Sequence, residues 1–189
     1  LTASTLGGGT LFFRSGPNLW RSSGTVTSTI LLKDVAGPAQ SLIDINGSLF
    51  FTVNFELWTS DGTNSGTVQV ALDSDGQPLL QATSLTSVNG RLFFSGSRTN
   101  NRFDVYVADA NGGVVTIQQV AALGIDVSLG ANSEATNFTG VGPLVYFSTR
   151  ESATTYLYKM DGTASGTTVV RPLSGPVSHF TNLNGQLGF

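Results

Sequence analysis

The sequence predicts an all-β fold: a β-propeller-like array of four-stranded antiparallel blades, about four blades plus the first hairpin of a fifth. Three recurring features predict it. An aromatic doublet appears as Phe12-Phe13, Phe50-Phe51, Phe93-Phe94 and Tyr146-Phe147, behind Gly7-Gly8-Gly9, Asn46-Gly47, Asn89-Gly90 and Gly142-Pro143 respectively. An aliphatic-aromatic pair follows it, as Leu19-Trp20, Leu57-Trp58, Val105-Tyr106 and Leu157-Tyr158. A glycine turn comes third. It is clearest in Asp61-Gly62-Thr63-Asn64-Ser65-Gly66-Thr67 and Asp161-Gly162-Thr163-Ala164-Ser165-Gly166-Thr167, and degenerate in Ser23-Gly24-Thr25 and Asp109-Ala110-Asn111-Gly112. The doublets begin at residues 12, 50, 93 and 146. That spacing of about 45 residues is the length of one propeller blade. A β-sandwich would have similar strand content, but it does not predict the same three features in the same order four times.

Each element follows from this pattern. The segment Leu1 to Leu6 opens the chain as a first strand, in the slot that Ser84 to Val88 fills later. Asn-Gly is the strongest short hairpin signal, because a type I′ turn needs positive φ at both central residues. It joins the first strand to the doublet strand at Asn46, Asn89 and Asn184. Asp104-Val105-Tyr106-Val107 has the β-branched and aromatic content of a third strand. The Asp-Gly-Thr turn then leads into a fourth, such as Thr167-Thr168-Val169-Val170 or Val114-Val115-Thr116-Ile117. The expected single domain covers 1–189, with blades at approximately 1–40, 41–82, 83–134 and 135–175 and the start of a fifth at 176–189. In that last stretch Ser178 to Leu183, Asn184-Gly185 and Gln186 to Phe189 repeat a first hairpin. The expectation is a partial propeller completed by further blades of one polypeptide or by other chains pairing at an open sheet edge.

Composition narrows function mainly by exclusion. Of 189 residues, 40% are hydrophobic and 11% charged, with 9 basic and 12 acidic side chains. An ordinary soluble domain has roughly 25% charged residues. Global disorder needs low hydrophobicity and high charge, so it is excluded. The longest apolar run, Ile117 to Leu129, is broken by Gly124 and Asp126, so no membrane span is expected. The scattered lysines and arginines build no basic patch for nucleic acid. With no cysteine, disulfides, thiolate metal sites and cysteine nucleophiles are ruled out. Scarce lysine and a surface rich in Ser, Thr, Asn and Gly point to an exported bacterial protein, extracellular, at the cell surface or periplasmic. Asn46 and Asn137 match the glycan acceptor pattern, but the turn already accounts for Asn46.

Glu56-Leu57-Trp58-Thr59-Ser60-Asp61-Gly62-Thr63, then Gly66-Thr67, resembles the bacterial repeat family named for the pattern ELWxxDGT. Tyr156 to Thr163 matches it with Tyr in place of Glu and Trp, Asn18 to Thr25 keeps the Leu-Trp, and the third unit retains only Asp104-Val105-Tyr106 and Asp109. The resemblance implies a propeller-like segment of a large exported surface or matrix protein and no particular activity.

Candidate sites divide between chemistry and architecture. Asp61, Gly62, Thr63, Asp161, Gly162 and Thr163 define the turn, with Asp109 placed at the same position. Each such loop has one carboxylate, so a turn cap is favoured over a calcium site, for which Thr63, Thr163 and backbone carbonyls would have to supply most of six to eight oxygens. Asp73 and Asp75 alternate in a denser acidic loop and are the calcium candidates. No other cofactor is expected. Trp20, Trp58, Tyr106 and Tyr158 recur once per blade, either as packing residues or as platforms for sugar rings. Arg14, Arg21, Arg91, Arg98, Arg102 and Arg150 could pair with acidic saccharides. His179 is expected to be a half-buried hairpin residue, and no Gly-x-Ser-x-Gly elbow accompanies it. Glu56, Glu134 and Glu151 are the only glutamates, and glycosidase chemistry needs two opposed carboxylates at a fixed separation, which sequence does not establish. The expected role is non-catalytic, adhesion or assembly through blade edges and loops, with protein partners. A carbohydrate-binding propeller and a fragment of a propeller hydrolase are the alternatives.

Overall fold

The computed structural model describes residues 3–6, 9–99, 102–111, 114–126, 134–151 and 153–189; the side chains of 3–6, 102, 122–126 and 151 are outside the description. Four antiparallel sheets of four strands follow one another along the chain, each in simple meander order, and a two-stranded hairpin comes last. Blade one holds β1 (Ala3–Leu6), β2 (Thr10–Ser15), β3 (Asn18–Ser22) and β4 (Ile30–Asp34). Blade two holds β5 (Gln40–Ile45), β6 (Ser48–Val53), β7 (Glu56–Ser60) and β8 (Val68–Gln69). Blade three holds β9 (Gln81–Val88), β10 (Arg91–Thr99), β11 (Arg102–Asn111) and β12 (Val114–Asp126). Blade four holds β13 (Thr136–Val141), β14 (Leu144–Glu151), β15 (Thr154–Met160) and β16 (Thr168–Leu173). The hairpin is β17 (Thr181–Leu183) and β18 (Gln186–Gly188). First strands of successive blades touch, β1 to β5, β5 to β9, β9 to β13 and β13 to β17, so they form the inner edge of a propeller-like array.

The doublet holds this array together because a strand sends alternate side chains to opposite faces. Phe50 enters the core shared with blade three, whereas Phe51 enters the core shared with blade one. Phe93 likewise faces blade four and Phe94 faces blade two. Among the described residues three cores result, one at each junction between neighbouring full blades. The middle strands are therefore apolar on both faces, and β6 is buried along its whole length. Outer strands need no such pattern, and β8 and most of β16 are exposed.

The Asn-Gly turns adopt the expected backbone, with φ of 51° and 87° at Asn46-Gly47, 51° and 75° at Asn89-Gly90, and 52° and 87° at Asn184-Gly185. Two of the asparagines have a further use. Asn46 Nδ2 donates to the carbonyls of Gly90 and Ala110, each at 3.2 Å, and Asn89 Nδ2 donates to Gly142 O at 3.1 Å. The turn of one blade is thereby tied to the turn of the next.

Several expectations need correction. The boundaries at 40/41 and 82/83 cut β5 and β9, which start at Gln40 and Gln81; the junctions lie instead in the links before those strands. Asp109 is not in a turn. β11 continues through Asn111, which pairs with Val114 at the start of β12, so Asp109 lies inside the ladder opposite Thr116. Gly112 lies outside the described residues. The fifth unit's first strand covers only Thr181–Leu183, not the stretch from Ser178.

His179 is exposed rather than half-buried, at φ 63°. Its position belongs to the repeat. Ser41, Ser84 and Asn137 have φ of 51°, 55° and 60°, and each stands five residues before its turn, as His179 stands before Asn184. The ladders of β5 with β6, β9 with β10 and β13 with β14 shift register at these points, which makes each a β-bulge in an inner strand.

Candidate functional site

The recurring aromatics share one rotational position. Trp20, Trp58, Tyr106 and Tyr158 lie directly across the ladder from Phe13, Phe51, Phe94 and Phe147. All four ring pairs are stacked, at centroid distances of 6.4, 6.1, 5.4 and 5.0 Å. Offset stacking of this kind adds roughly 0.5–1.5 kcal/mol to the burial of the rings themselves. Tyr106 and Tyr158 belong to buried cores and Trp58 packs against the core between blades one and two. Burial pushes the Tyr106 hydroxyl up to about 12, opposed by the positive charge of Arg98. These three aromatics are packing residues between blades.

Trp20 differs only in what lies beyond it. By the same geometry the Phe13–Trp20 pair faces away from blade two. Leu11, two residues before Phe13, and Leu31, opposite Trp20 on β4, are 38% and 49% exposed. Leu11 stands where Leu49, Leu92 and Val145 are buried in the later blades, so this part of the face is open in blade one, whereas the outer-strand position of Leu31 is exposed in blades two and four as well.

The Asp-Gly-Thr turns are closed hydrogen-bond units. Asp61 Oδ1 accepts from the Thr63 N–H at 2.8 Å and from the Thr63 hydroxyl at 2.7 Å; the Gly66 N–H donates to Thr63 Oγ1 at 2.9 Å. The same bonds recur at Asp161, Thr163 and Gly166 at 2.9, 2.7 and 3.0 Å. Hydrogen bonds from the Thr63 and Thr163 side chains, then from their backbones, hold both carboxylates below the usual range. Gly62 and Gly162 supply φ of 86° and 91°. Gly66 and Gly166 leave room for the carboxylate, since a Cβ there would collide with Asp61 or Asp161. Two carbonyls of the blade-two loop already hold a cation: Lys33 Nζ donates to Asn64 O at 3.3 Å and to Thr67 O at 2.6 Å.

Blade one reaches the same loop by a different route. Ser22 and Thr29 hydroxyls pair at 2.7 Å, as Ser60 and Thr67 do at 2.7 Å. Ser23 has no carboxylate to offer, and Ser28 stands where Gly66 stands in blade two. Ser28 Oγ accepts the N–H groups of Ser23 and Thr25, each at 3.1 Å. The two changes compensate, and the hydrogen bonds show it where the residue types do not.

Asp73 and Asp75 come together with an arginine. The Asp73 side chain is fully buried, and its Oδ1 accepts from the N–H groups of Asp75 and Gln77 at 3.0 and 2.9 Å. Its Oδ2 accepts from Arg98 Nε and Nη2 at 3.0 and 2.5 Å, and Arg98 also reaches Asp75 at 3.4 Å. Both oxygens of Asp73 are thus committed to protein donors, which leaves Asp75 as the one carboxylate of this loop open to a cation. Ser74 continues the clamp onto blade three, donating its N–H to Ile117 O and accepting the Ile117 N–H on Oγ, both at 2.8 Å. The loop covers part of the free edge of β12.

The remaining candidates do not converge. Arg91 forms a two-point pair with Asp109 at 2.7 and 2.9 Å. Arg14 and Arg21 are half-buried, Arg150 is exposed, and the side chains of Arg102 and Glu151 are outside the description. Glu134 accepts a hydrogen bond from Thr83, and Glu56 is half-buried beside a hairpin turn. Asn137 is held by Ser148 at 2.9 Å and by Val177 O, and accepts the His179 N–H, so its amide is engaged within the fold. Among the described residues no three of His, Asp and Glu gather at a metal-binding distance, and no helix is long and apolar enough to cross a membrane.

An all-β propeller-like array is the class that fold and candidate site define. No family model and no curated protein matches the sequence. Among solved structures, the chain is similar to one in the S. cerevisiae Dbp5 complex bound to Nup159, Gle1, IP6 and ADP, with a TM-score of 0.53 and 14% identity. That match covers 86% of this chain and 45% of the other. TolB from Acinetobacter baumannii matches at a TM-score of 0.45 and 16% identity over 89% of this chain and 41% of its own. The chain thus spans under half the length of these solved chains, and the first likeness is one of fold alone.

Proposed function

We propose that the chain is a non-catalytic structural module of an exported bacterial protein, which assembles with other protein through its exposed blade surfaces. The observation that carries this reading is the open face of blade one, where Leu11 is exposed beside the Phe13–Trp20 pair although its counterparts Leu49, Leu92 and Val145 are buried against a neighbouring blade. The resemblance to ELWxxDGT repeats supports the same reading. A saccharide platform would need exposed rings, and three of the four recurring aromatics are packed between blades. The turn carboxylates are occupied in holding the backbone. Sedimentation velocity across a concentration series tests the proposal. The native chain is expected to self-associate, and a Leu11→Glu/Leu31→Glu variant, altered only at exposed positions, is expected to stay monomeric with an unchanged circular dichroism spectrum. A native chain that remains monomeric throughout overturns it.

A further inference from the structure

We infer that blade one carries a binding site for a small oxyanion group, a carboxylate or a sulfate, centred on the guanidinium of Arg21. Arg21 and Phe12 stand opposite each other in the ladder of β2 with β3, so they share the face of blade one that packs on blade two. The turn glycine Gly62 of blade two lies against both: a Cβ there would stand 3.5 Å from the Phe12 ring and 4.0 Å from Arg21 Nη1. Beside them is a pocket of about 270 Å³, lined by Thr10, Arg21, Ser23, Thr27 and Ile30. Ordinary small-molecule pockets run to roughly 300–1,000 Å³, so this space suits one charged group and a little of what carries it.

The repeat shows why that group is an anion. The register sets Leu11 opposite Ser22 and Leu92 opposite Ala108, so Thr10 and Ser23 hold in blade one the two places that Arg91 and Asp109 hold in blade three. In blade three the Arg91 guanidinium packs on Gly162, the turn glycine of the following blade, and Asp109 neutralises it through two hydrogen bonds. In blade one a guanidinium again packs on the following turn glycine, but it comes from Arg21, and the place of Asp109 belongs to the uncharged Ser23. Arg21 is half-buried and forms no ion pair among the described residues; Asp61, next to Gly62, is engaged by Thr63 instead. A partly desolvated guanidinium without a counter-ion favours an anion beside it, and its planar fork suits two oxygens of a carboxylate or sulfate. The Ser22 and Ser28 hydroxyls, which also line the pocket, are spent on Thr29 and on the loop backbone. Those of Thr10 and Ser23 make no hydrogen bond among the described residues, which leaves two neutral donors beside the charged one. No carboxylate lines the pocket to repel an anion.

The site goes beyond the assembly reading and lies on the other face of blade one from Leu11 and Leu31. Amide NMR of the full chain tests it, with sodium glucuronate, sodium sulfate and neutral glucose titrated at constant ionic strength. Saturable shifts centred on residues 22–28 and on Gly62 are expected for an anion and not for glucose. Binding of both anions in competition identifies the charged group itself as the ligand, and binding of one alone identifies a sugar acid or a sulfate ester; either supports the site. Arg21→Gln, which keeps the packing of the stem, is expected to weaken binding about tenfold, the worth of one charge-assisted hydrogen bond. Arg150→Gln, at an exposed arginine of blade four, should leave it unchanged. In the native chain added sodium chloride is expected to weaken it by screening, a readout that needs no variant. The Leu11→Glu/Leu31→Glu chain should bind equally well, so loss of self-association and loss of the anion site are read separately. Absence of saturable shifts, equal binding of glucose, shifts scattered over the other arginines, or an affinity indifferent to Arg21→Gln or to salt overturns the site.

Discussion

At the scale of single residues, the same loop is built from two chemistries that exclude each other. In blade two the Asp61 carboxylate occupies the space that a Gly66 side chain would need. In blade one Ser28 has that side chain, and its hydroxyl takes over as acceptor for the N–H of Thr25. A swap therefore has a defined sign. Gly66→Ser alone forces an added Cβ against the carboxylate and should lower stability by about 2 kcal/mol, as overpacking typically does. Asp61→Ser/Gly66→Ser should recover most of that loss. A double-mutant cycle by urea denaturation measures the coupling; additive losses would mean that the loops are not equivalent. Asp73 is another residue whose role is set by what it touches. Two alternating carboxylates in a loop read as a cation site in sequence, and the Arg98 guanidinium that neutralises Asp73 comes from a strand 25 positions away.

At the scale of elements, what was legible was what residue type enforces. Doublets, Asn-Gly turns and Asp-Gly-Thr loops each need specific side chains or backbone freedom, so they repeat visibly. The bulges in β5, β9 and β13 do not: Ser41, Ser84 and Asn137, like His179 ahead of β17, share a left-handed backbone, and no single residue type marks the position. Strand pairing imposes it, and His179 read as a half-buried hairpin residue because nothing in its residue type marks an exposed, left-handed position. Asp109 misled for the converse reason, since it kept the spacing of a turn residue while β11 continued for two more residues. The connection from β6 to β7 carries strain of the same kind. Asn54 and Phe55 have φ of 52° and 68°, which a type I′ turn favours as Asn-Gly. An L residue pays roughly 1–2 kcal/mol for this conformation. Phe55 is 61% exposed, so little burial offsets it. Phe55→Gly should raise stability by about 0.5–1 kcal/mol after the larger chain entropy of glycine is deducted. Thermal unfolding checks it, and a loss would show that the ring is held by a contact worth more than the strain.

At the scale of the whole molecule, the cores lie between blades and none spans more than two of them. Stability is then close to a sum of nearest-neighbour terms, as in repeat arrays, rather than the property of one shared interior. Turn-to-turn bonds from Asn46 and Asn89 and the Ser74 clamp on Ile117 couple neighbours but skip no blade. A cavity at one junction should therefore loosen that junction first. Phe51 sits only in the core between blades one and two, stacked on Trp58. Truncating it to alanine should cost about 3–5 kcal/mol at that junction. Hydrogen exchange in the Phe51→Ala variant is expected to accelerate in β1 to β8 while β9 to β16 keep near-native protection. In a single cooperative unit the same truncation would raise exchange by one common factor across all four sheets, because every protected amide would open through the same global event. The distribution of the change along the chain thus separates an array of coupled blades from a domain with one core, and it does so without a ligand or partner in hand.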